Sequence, residues 1–79
     1  MQVKVKLYGT LGKGVVGYDH RSGLAVEVAE GATVAGLMAQ LEIPLKKIGM
    51  VSLDGRLASK TAALRPGTMV KVFHPIFGG

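Results

Sequence analysis

The sequence predicts an α+β fold in which a mixed sheet of four to five strands packs on one helix. Two segments, one near each end of the chain, alternate apolar and polar residues, as strands with one buried face do. Between them, one segment has apolar residues at helical spacing. The chain has 79 residues, of which 48% are hydrophobic, so a single small domain with a folded core is expected.

The first two strands are expected to form a hairpin. Val3, Val5 and Leu7 alternate with polar residues and define one buried face of the first strand. A glycine-rich loop over residues 9–23 leads to a second alternation over residues 24–29. We expect the second strand to turn back and pair with the first.

A single amphipathic helix follows. Thr33 can cap it by accepting a hydrogen bond from the first turn. Pro44 is expected to end it near residue 42 or 43, because the residue before a proline avoids the helical conformation. The apolar stripe, spaced i, i+3, i+4 and i+7, consists of Val34, Leu37, Met38 and Leu41.

A second hairpin is predicted further along the chain. Residues 48–53 form the third strand, and residues 56–58 return as a short fourth one. Asp54-Gly55 between them is typical of a two-residue turn with positive φ at both positions.

The chain then returns to the sheet. We predict one helical turn at residues 61–64, a type II turn at Pro66-Gly67 and a last strand at residues 69–73. The first and last strands have the longest alternations and are placed in the centre of the sheet. This order of elements predicts a β-grasp domain over residues 1–74 with a flexible C-terminal tail over residues 75–79.

Few side chains suit catalysis, so the protein is not expected to be an enzyme by itself. Cysteine is absent, which excludes a disulfide and a thiol nucleophile. His20 and His74 are far apart in the sequence, so neither a metal site nor a bound cofactor is expected. Gly12 to Gly17 match the G-x-G-x-x-G spacing, but no helix start follows, and a mobile hairpin loop is the better interpretation.

The net charge of +5 raises the question of a partner. Lys4 and Lys6 lie on the outward face of the first strand, and Lys71 joins them if the last strand pairs beside it, with Tyr8 and Phe73 nearby. This face is either a solvated surface that lysine keeps soluble or a docking surface for an acidic protein. Nucleic acid is less favoured, because sheets that stack bases need more aromatic residues than this chain has.

The C-terminal tail carries the sharpest signal. Pro75 stiffens its base, while Ile76 and Phe77 provide apolar anchors. Gly78 and Gly79 have no Cβ and fit a channel too narrow for other residues. The pattern favours a C-terminus inserted into another protein's active site over a frayed terminus without a role.

The stretch from Leu64 to Gly79 resembles the C-terminus of ubiquitin-like sulfur carriers, which are the small subunit of molybdopterin synthase and the thiamine-biosynthesis sulfur carrier. The resemblance implies that a ubiquitin-activating-type adenylating enzyme uses ATP and Mg²⁺ to convert the Gly79 carboxylate into an acyl-adenylate. A persulfide donor then replaces AMP with sulfur. The resulting thiocarboxylate would serve the large subunit of molybdopterin synthase, for a molybdopterin or tungstopterin precursor, or a thiazole synthase.

Under this resemblance, Gly78 and Gly79 enter the partner's pocket. The other residues expected to contact partners are Pro75, Ile76, Phe77, Phe73, Lys4, Lys6 and Lys71. Two alternatives stay open: a protein modifier joined through Gly79 to a lysine of its target, and a basic β-grasp module that binds RNA or regulates through its sheet face. No apolar run has the length of a membrane span, so no membrane partner is expected and the expected location is the cytoplasm.

Overall fold

The computed structural model describes residues 1–75, and its elements follow the predicted order. The strands are β1 (Gln2–Leu7), β2 (Leu24–Glu27), β3 (Val51–Leu53), β4 (Arg56–Ala58) and β5 (Met69–Val72). In this part of the chain there is one α-helix, α1 (Val34–Gln40), with one 3-10 turn at Leu11–Gly14 and another at Leu45–Lys47.

The five strands form one mixed sheet in the order β2-β1-β5-β3-β4. β1 and β5 are parallel neighbours, and the remaining pairs are antiparallel. Two predictions are therefore confirmed: β1 and β2 form a hairpin, and the first and last strands lie in the interior of the sheet. Five strands and one helix in this order make the predicted β-grasp fold.

The core lies between the helix and one face of the sheet. Every second residue of β1 and β5 points into it, as the alternation predicts. The side chains that are fully buried there are Val3, Val5, Leu7, Val34, Leu37, Met38, Val51, Val70 and Val72. The opposite face of the sheet has no helix over it in the described part of the chain, and we call it the open face.

Two of the predicted turns are confirmed by their backbone angles. Asp54 and Gly55 have φ values of 49° and 86°, as a type I′ hairpin turn requires. Gly67 has a φ of 78°, and the Thr68 amide donates to the carbonyl oxygen of Arg65 at 3.2 Å. This is the type II turn, with glycine at its third position.

The helix begins as predicted and ends two or three residues earlier than predicted. Its last residue is Gln40, and Glu42 takes a left-handed φ of 59°. The Glu42 amide donates to the carbonyl oxygen of Ala39 at 3.1 Å, and the Ile43 amide donates to that of Met38 at 2.9 Å. This pair of bonds is the Schellman motif, so a left-handed residue ends the helix before the proline can.

The helical turn predicted at residues 61–64 is wrong. Ala63 instead forms a β-bridge with Thr33, next to the start of the helix. The Val34 amide donates to the carbonyl oxygen of Ala62 at 3.0 Å. The segment thus satisfies amides of the first helical turn, which have no partner within the helix, and it is not helical itself.

The third strand begins at Val51, three residues later than predicted. Ile48 is buried, but its amide donates to the carbonyl oxygen of Leu45 at 3.2 Å, which makes it the end of the second 3-10 turn. β5 likewise ends at Val72, one residue before the predicted end. The predicted tail begins at Pro75, and its remaining residues, 76–79, lie outside the described residues.

Candidate functional site

Three lysines lie together on the open face of the sheet. Lys6 of β1 is the register partner of Lys71 of β5, and Lys4 is two residues before Lys6 on the same face. Partners in adjacent strands point to the same side of a sheet. The structure therefore brings together the three lysines that the sequence pattern singles out, and their part in docking stays a prediction.

The stems of two of these lysines pack against Gly23, just before β2. A Cβ at Gly23 would lie 3.3 Å from Cγ of Lys4 and 3.4 Å from Cγ of Lys6. The first part of each side chain therefore borders Gly23, while Lys4 is exposed and Lys6 is half-buried. Within residues 1–75, none of the three lysines forms a salt bridge. Among the described residues, no carboxylate neutralises their positive charge.

A stack of aromatic rings adjoins the lysines at the end of β1. The rings of Tyr8 and Phe73 lie 4.5 Å apart at an interplanar angle of 17°, and His20 meets the Tyr8 ring edge-on at 5.0 Å. Such pairs contribute about 0.5–1.5 kcal/mol beyond the area they bury. The stack connects the long loop after β1 to the point where the chain leaves β5.

Two exposed apolar side chains extend the open face on its other side. Leu57 of β4 is 73% exposed and Met50, just before β3, is 49% exposed. Leu57 is the register partner of Ser52, which is in turn the partner of Lys71. An apolar area therefore runs beside the lysines, a combination that suits a protein interface.

Tyr18 secures the long loop to the end of β1. Its hydroxyl accepts from the Leu7 amide at 2.6 Å and lies 3.1 Å from the Leu7 carbonyl oxygen, to which it can donate. It also lies 2.9 Å from Nδ1 of His20. Because the pairing of β2 with β1 stops at Val5, the Tyr18 side chain takes the place of a strand residue.

The glycine-rich sequence serves the packing of this loop. Residues Leu11–Gly14 form a 3-10 turn, and no α-helix follows before β2. A Cβ at Gly12 would lie 2.6 Å from the ring of Tyr18, so the glycine lets the tyrosine reach Leu7. A helix N-terminus, which a dinucleotide loop needs for its pyrophosphate, does not occur here.

The base of the C-terminal tail lies in an apolar depression at the same end of the sheet. The Phe73 amide donates to the Met50 carbonyl oxygen at 2.9 Å, and the Gly49 amide donates to the Phe73 carbonyl oxygen at 2.6 Å. Pairing thus continues one residue past β5 and then stops. The depression is lined by Tyr8, Gly9, Gly49, Met50, Phe73, His74 and Pro75.

Of the predicted tail and anchor residues, the structure places Phe73 and Pro75 in this depression. Ile76, Phe77, Gly78 and Gly79 lie outside the described residues, so their roles stay predictions. Sequence reasoning missed Gly9 and Gly49, which line the base of the tail. The only feature of Gly49 in the sequence is that it stands shortly before a strand, and glycines at many other positions share this feature.

No three His, Asp or Glu side chains in residues 1–75 are grouped so that they could hold a metal ion. No helix in the same range is long and apolar enough to cross a membrane.

The model of the ThiS family matches residues 16–79, which is most of the chain. The chain belongs to the ThiS family. Its resemblance to ubiquitin-like sulfur carriers is thereby confirmed, and it is a ubiquitin-like protein of the sulfur-carrier or modifier kind. Proteins of the ThiS family type work with an activating enzyme and a synthase. No curated protein sequence matches the chain significantly.

Solved structures share the fold of this ThiS family chain at low sequence identity. SAMP1 from Haloferax volcanii superposes with a TM-score of 0.71 at 20% identity over 100% of both chains. A putative molybdopterin converting factor, subunit 1, from Pyrococcus furiosus gives 0.70 at 24% identity, covering 96% of this chain and 99% of that one. A crystal structure of H. volcanii small archaeal modifier protein 1 gives 0.69 at 21% identity, covering 95% and 98%.

Proposed function

We propose that this protein is a sulfur carrier whose C-terminal Gly79 is adenylated and then converted to a thiocarboxylate. The observation that carries the proposal is the position of the tail's base. Phe73 and Pro75 leave the central strand β5 beside an apolar and lysine-bearing surface, and Gly79 follows four residues after Pro75. Membership of the ThiS family supports the same function.

The chemistry needs little from the carrier itself. A carboxylate is a poor electrophile, and attack of a Gly79 oxygen on the α-phosphate of ATP releases pyrophosphate and gives it AMP as a leaving group. The terminal sulfur of a persulfide displaces AMP, and cleavage of the sulfur–sulfur bond by a second thiol leaves the thiocarboxylate. The mechanism requires no thiol from the carrier, which agrees with the absence of cysteine from this chain. The activating enzyme supplies ATP, Mg²⁺ and the catalytic groups.

The body of the domain would bind the partner while the tail enters its active site. The lysines of the open face offer charge complementarity to an acidic enzyme surface, which raises association rates more than affinity. Tyr8, Phe73, Met50 and Leu57 offer the apolar contacts beside them. The sulfur would then pass to a synthase, for which a molybdopterin or tungstopterin precursor and a thiazole are the candidate acceptors.

Conjugation to proteins shares the first step and differs in the acceptor. The similarity in fold to the Haloferax modifier keeps this second function in view. The adenylate at Gly79 would then be attacked by a lysine amine of a target protein, which forms an amide bond, loses a proton and releases AMP. Lysine-linked peptides that carry the C-terminal residues of this chain, found in extracts of the source cells, would favour the modifier.

Adenylation is tested by ATP–pyrophosphate exchange with the activating enzyme of the same organism. The full chain should support exchange, and a variant without Gly78 and Gly79 should not, since it lacks the reacting carboxylate at the required distance from the body. Thermal unfolding of both chains serves as the control and should be the same. Exchange that survives the deletion would contradict the proposal and favour a function of the sheet face.

A further inference from the structure

The chain leaves the sheet through a slot between two glycines. Gly9 follows β1 and Gly49 precedes β3, and these two strands flank β5 in the sheet. His74 and Pro75 pass between them. The last backbone hydrogen bond before the slot is the one that the Gly49 amide donates to the Phe73 carbonyl oxygen. His74, the next residue, is the first in the slot.

Gly49 is required here by close contact and not by its backbone angle. Its φ is not in the left-handed region, so an alanine could adopt the same conformation. A Cβ at this position would lie 2.8 Å from Cα of Pro75, 3.0 Å from its nitrogen and 3.1 Å from the carbonyl carbon of His74. All three are backbone atoms, so any side chain at Gly49 must displace the base of the tail.

Gly9 forms the other wall of the slot. It has a left-handed φ of 66°, and a Cβ there would overlap the imidazole ring of His74. The ring therefore lies directly on a backbone that has no side chain. His74 and Pro75 are therefore packed between the backbones of Gly9 and Gly49, which restricts the direction of the chain at this point.

We propose that Gly9 and Gly49, with His74 between them, are positioning residues that fix the direction in which the tail leaves the domain. The proposal rests on the proposed function, because the direction matters only if Gly79 must reach a reacting centre. The four residues after Pro75 span at most about 14 Å when fully extended. A tilt at the slot therefore moves the carboxylate by several ångströms, and a misplacement of about 1 Å can cost a hundredfold in rate.

Gly49→Ala tests the slot, with Gly14→Ala as its matched control. Gly14 also has an ordinary φ, and nothing lies within 4 Å of a Cβ there. We expect Gly49→Ala to lower kcat for adenylation about tenfold with KM for the carrier little changed, because docking uses the open face. Gly14→Ala should match the wild-type chain. A fall in kcat at constant KM is not what partial unfolding produces, since loss of folded protein raises the apparent KM.

Amide hydrogen exchange gives a readout that does not depend on any enzyme. Gly49→Ala should lose protection at the amides of residue 49 and Phe73, while the amides of Val70 and Val72 keep theirs. Unchanged protection together with unchanged kcat would overturn the proposal. If the wild-type chain itself is not adenylated, the proposed function fails, and the exchange data alone decide whether the slot holds the tail.

His74→Ala provides a second variant that leaves the core untouched, because His74 is exposed. Removing the ring empties the space over Gly9, so the base of the tail should loosen. We expect kcat to fall about threefold and protection at the Gly49 amide to weaken. If Gly49→Ala does not fold, wild-type kcat and protection in His74→Ala would overturn the proposal.

Discussion

At the scale of single residues, the Tyr18 side chain replaces backbone hydrogen bonds that a strand would otherwise make. The Tyr18 hydroxyl contacts both the amide and the carbonyl oxygen of Leu7, on the side of β1 where the pairing with β2 has already stopped. Gly12 makes room for the Tyr18 ring. The sequence offered no means to find this contact, because it joins residues eleven positions apart through a side chain in a loop without periodicity. The sequence could therefore predict a hairpin loop, but it could not predict that Tyr18 anchors this loop to β1.

Tyr18→Phe should destabilise the protein by about 1–2 kcal/mol, because it leaves the part-buried amide and carbonyl of Leu7 without their partner. Chemical denaturation measures the change. Tyr8→Phe is the matched control, since the Tyr8 hydroxyl has no hydrogen-bond partner within residues 1–75. The control should change stability by less than about 0.5 kcal/mol. Equal effects of the two substitutions would refute the anchoring role of Tyr18.

At the scale of elements, the alternations and turn signals predicted most of the fold. Period-two patterns placed β1, β2 and β5, and Asp54-Gly55 placed the second hairpin. The two exceptions have different causes, one long-range and one local. The segment at residues 61–64 is used by the first turn of α1, and a left-handed Glu42 ends the helix before Pro44 does. Local propensity carries no information on the first contact, which joins segments far apart in the chain. The second was missed because a glutamate stands at the left-handed position where glycine is the usual signal.

Gly36→Ala should stabilise the protein by about 1 kcal/mol, because glycine inside a helix costs roughly that much relative to alanine. Gly36 is exposed in α1, and the nearest atom to a Cβ there is Oγ1 of Thr33 at an ordinary 3.5 Å. Thermal unfolding measures the gain. The same substitution at Gly55, which has a φ of 86°, should destabilise the protein. A loss of stability in Gly36→Ala would show that the helix cannot accept the methyl group.

At the scale of the whole molecule, charge, apolar surface and tail base meet at one part of the sheet. The sequence placed Lys4 and Lys6 on one face by their alternation, and it added Lys71 on the condition, met in the structure, that the last strand pairs beside the first. It did not indicate Met50 or Leu57, because residues 48–53 show no clear alternation and the strand that holds Leu57 is too short to show one. Of the predicted site residues that the structure describes, the three lysines share the open face, and Phe73 and Pro75 lie at the tail base beyond the end of β5.

Reversing two charges tests whether this face guides docking. Lys6→Glu with Lys71→Glu should lower the association rate with the activating enzyme about tenfold at low salt, and the effect should shrink at high salt. Lys46→Glu with Lys47→Glu makes the same change of charge in the 3-10 turn after the helix and is the control. Stopped-flow measurement of binding separates the two pairs. Equal slowing by both would assign the effect to net charge and contradict a specific docking face.

The most direct test of the sulfur-carrier function is the chemical form of Gly79 after activation. The full chain is incubated with the activating enzyme, ATP, Mg²⁺ and a persulfide source, and its C-terminal peptide is analysed by tandem mass spectrometry. The predicted result is a mass increase equal to the difference between a sulfur and an oxygen atom, located on Gly79. An enzyme that exchanges pyrophosphate with this chain, yet leaves no sulfur on Gly79, would contradict the assignment.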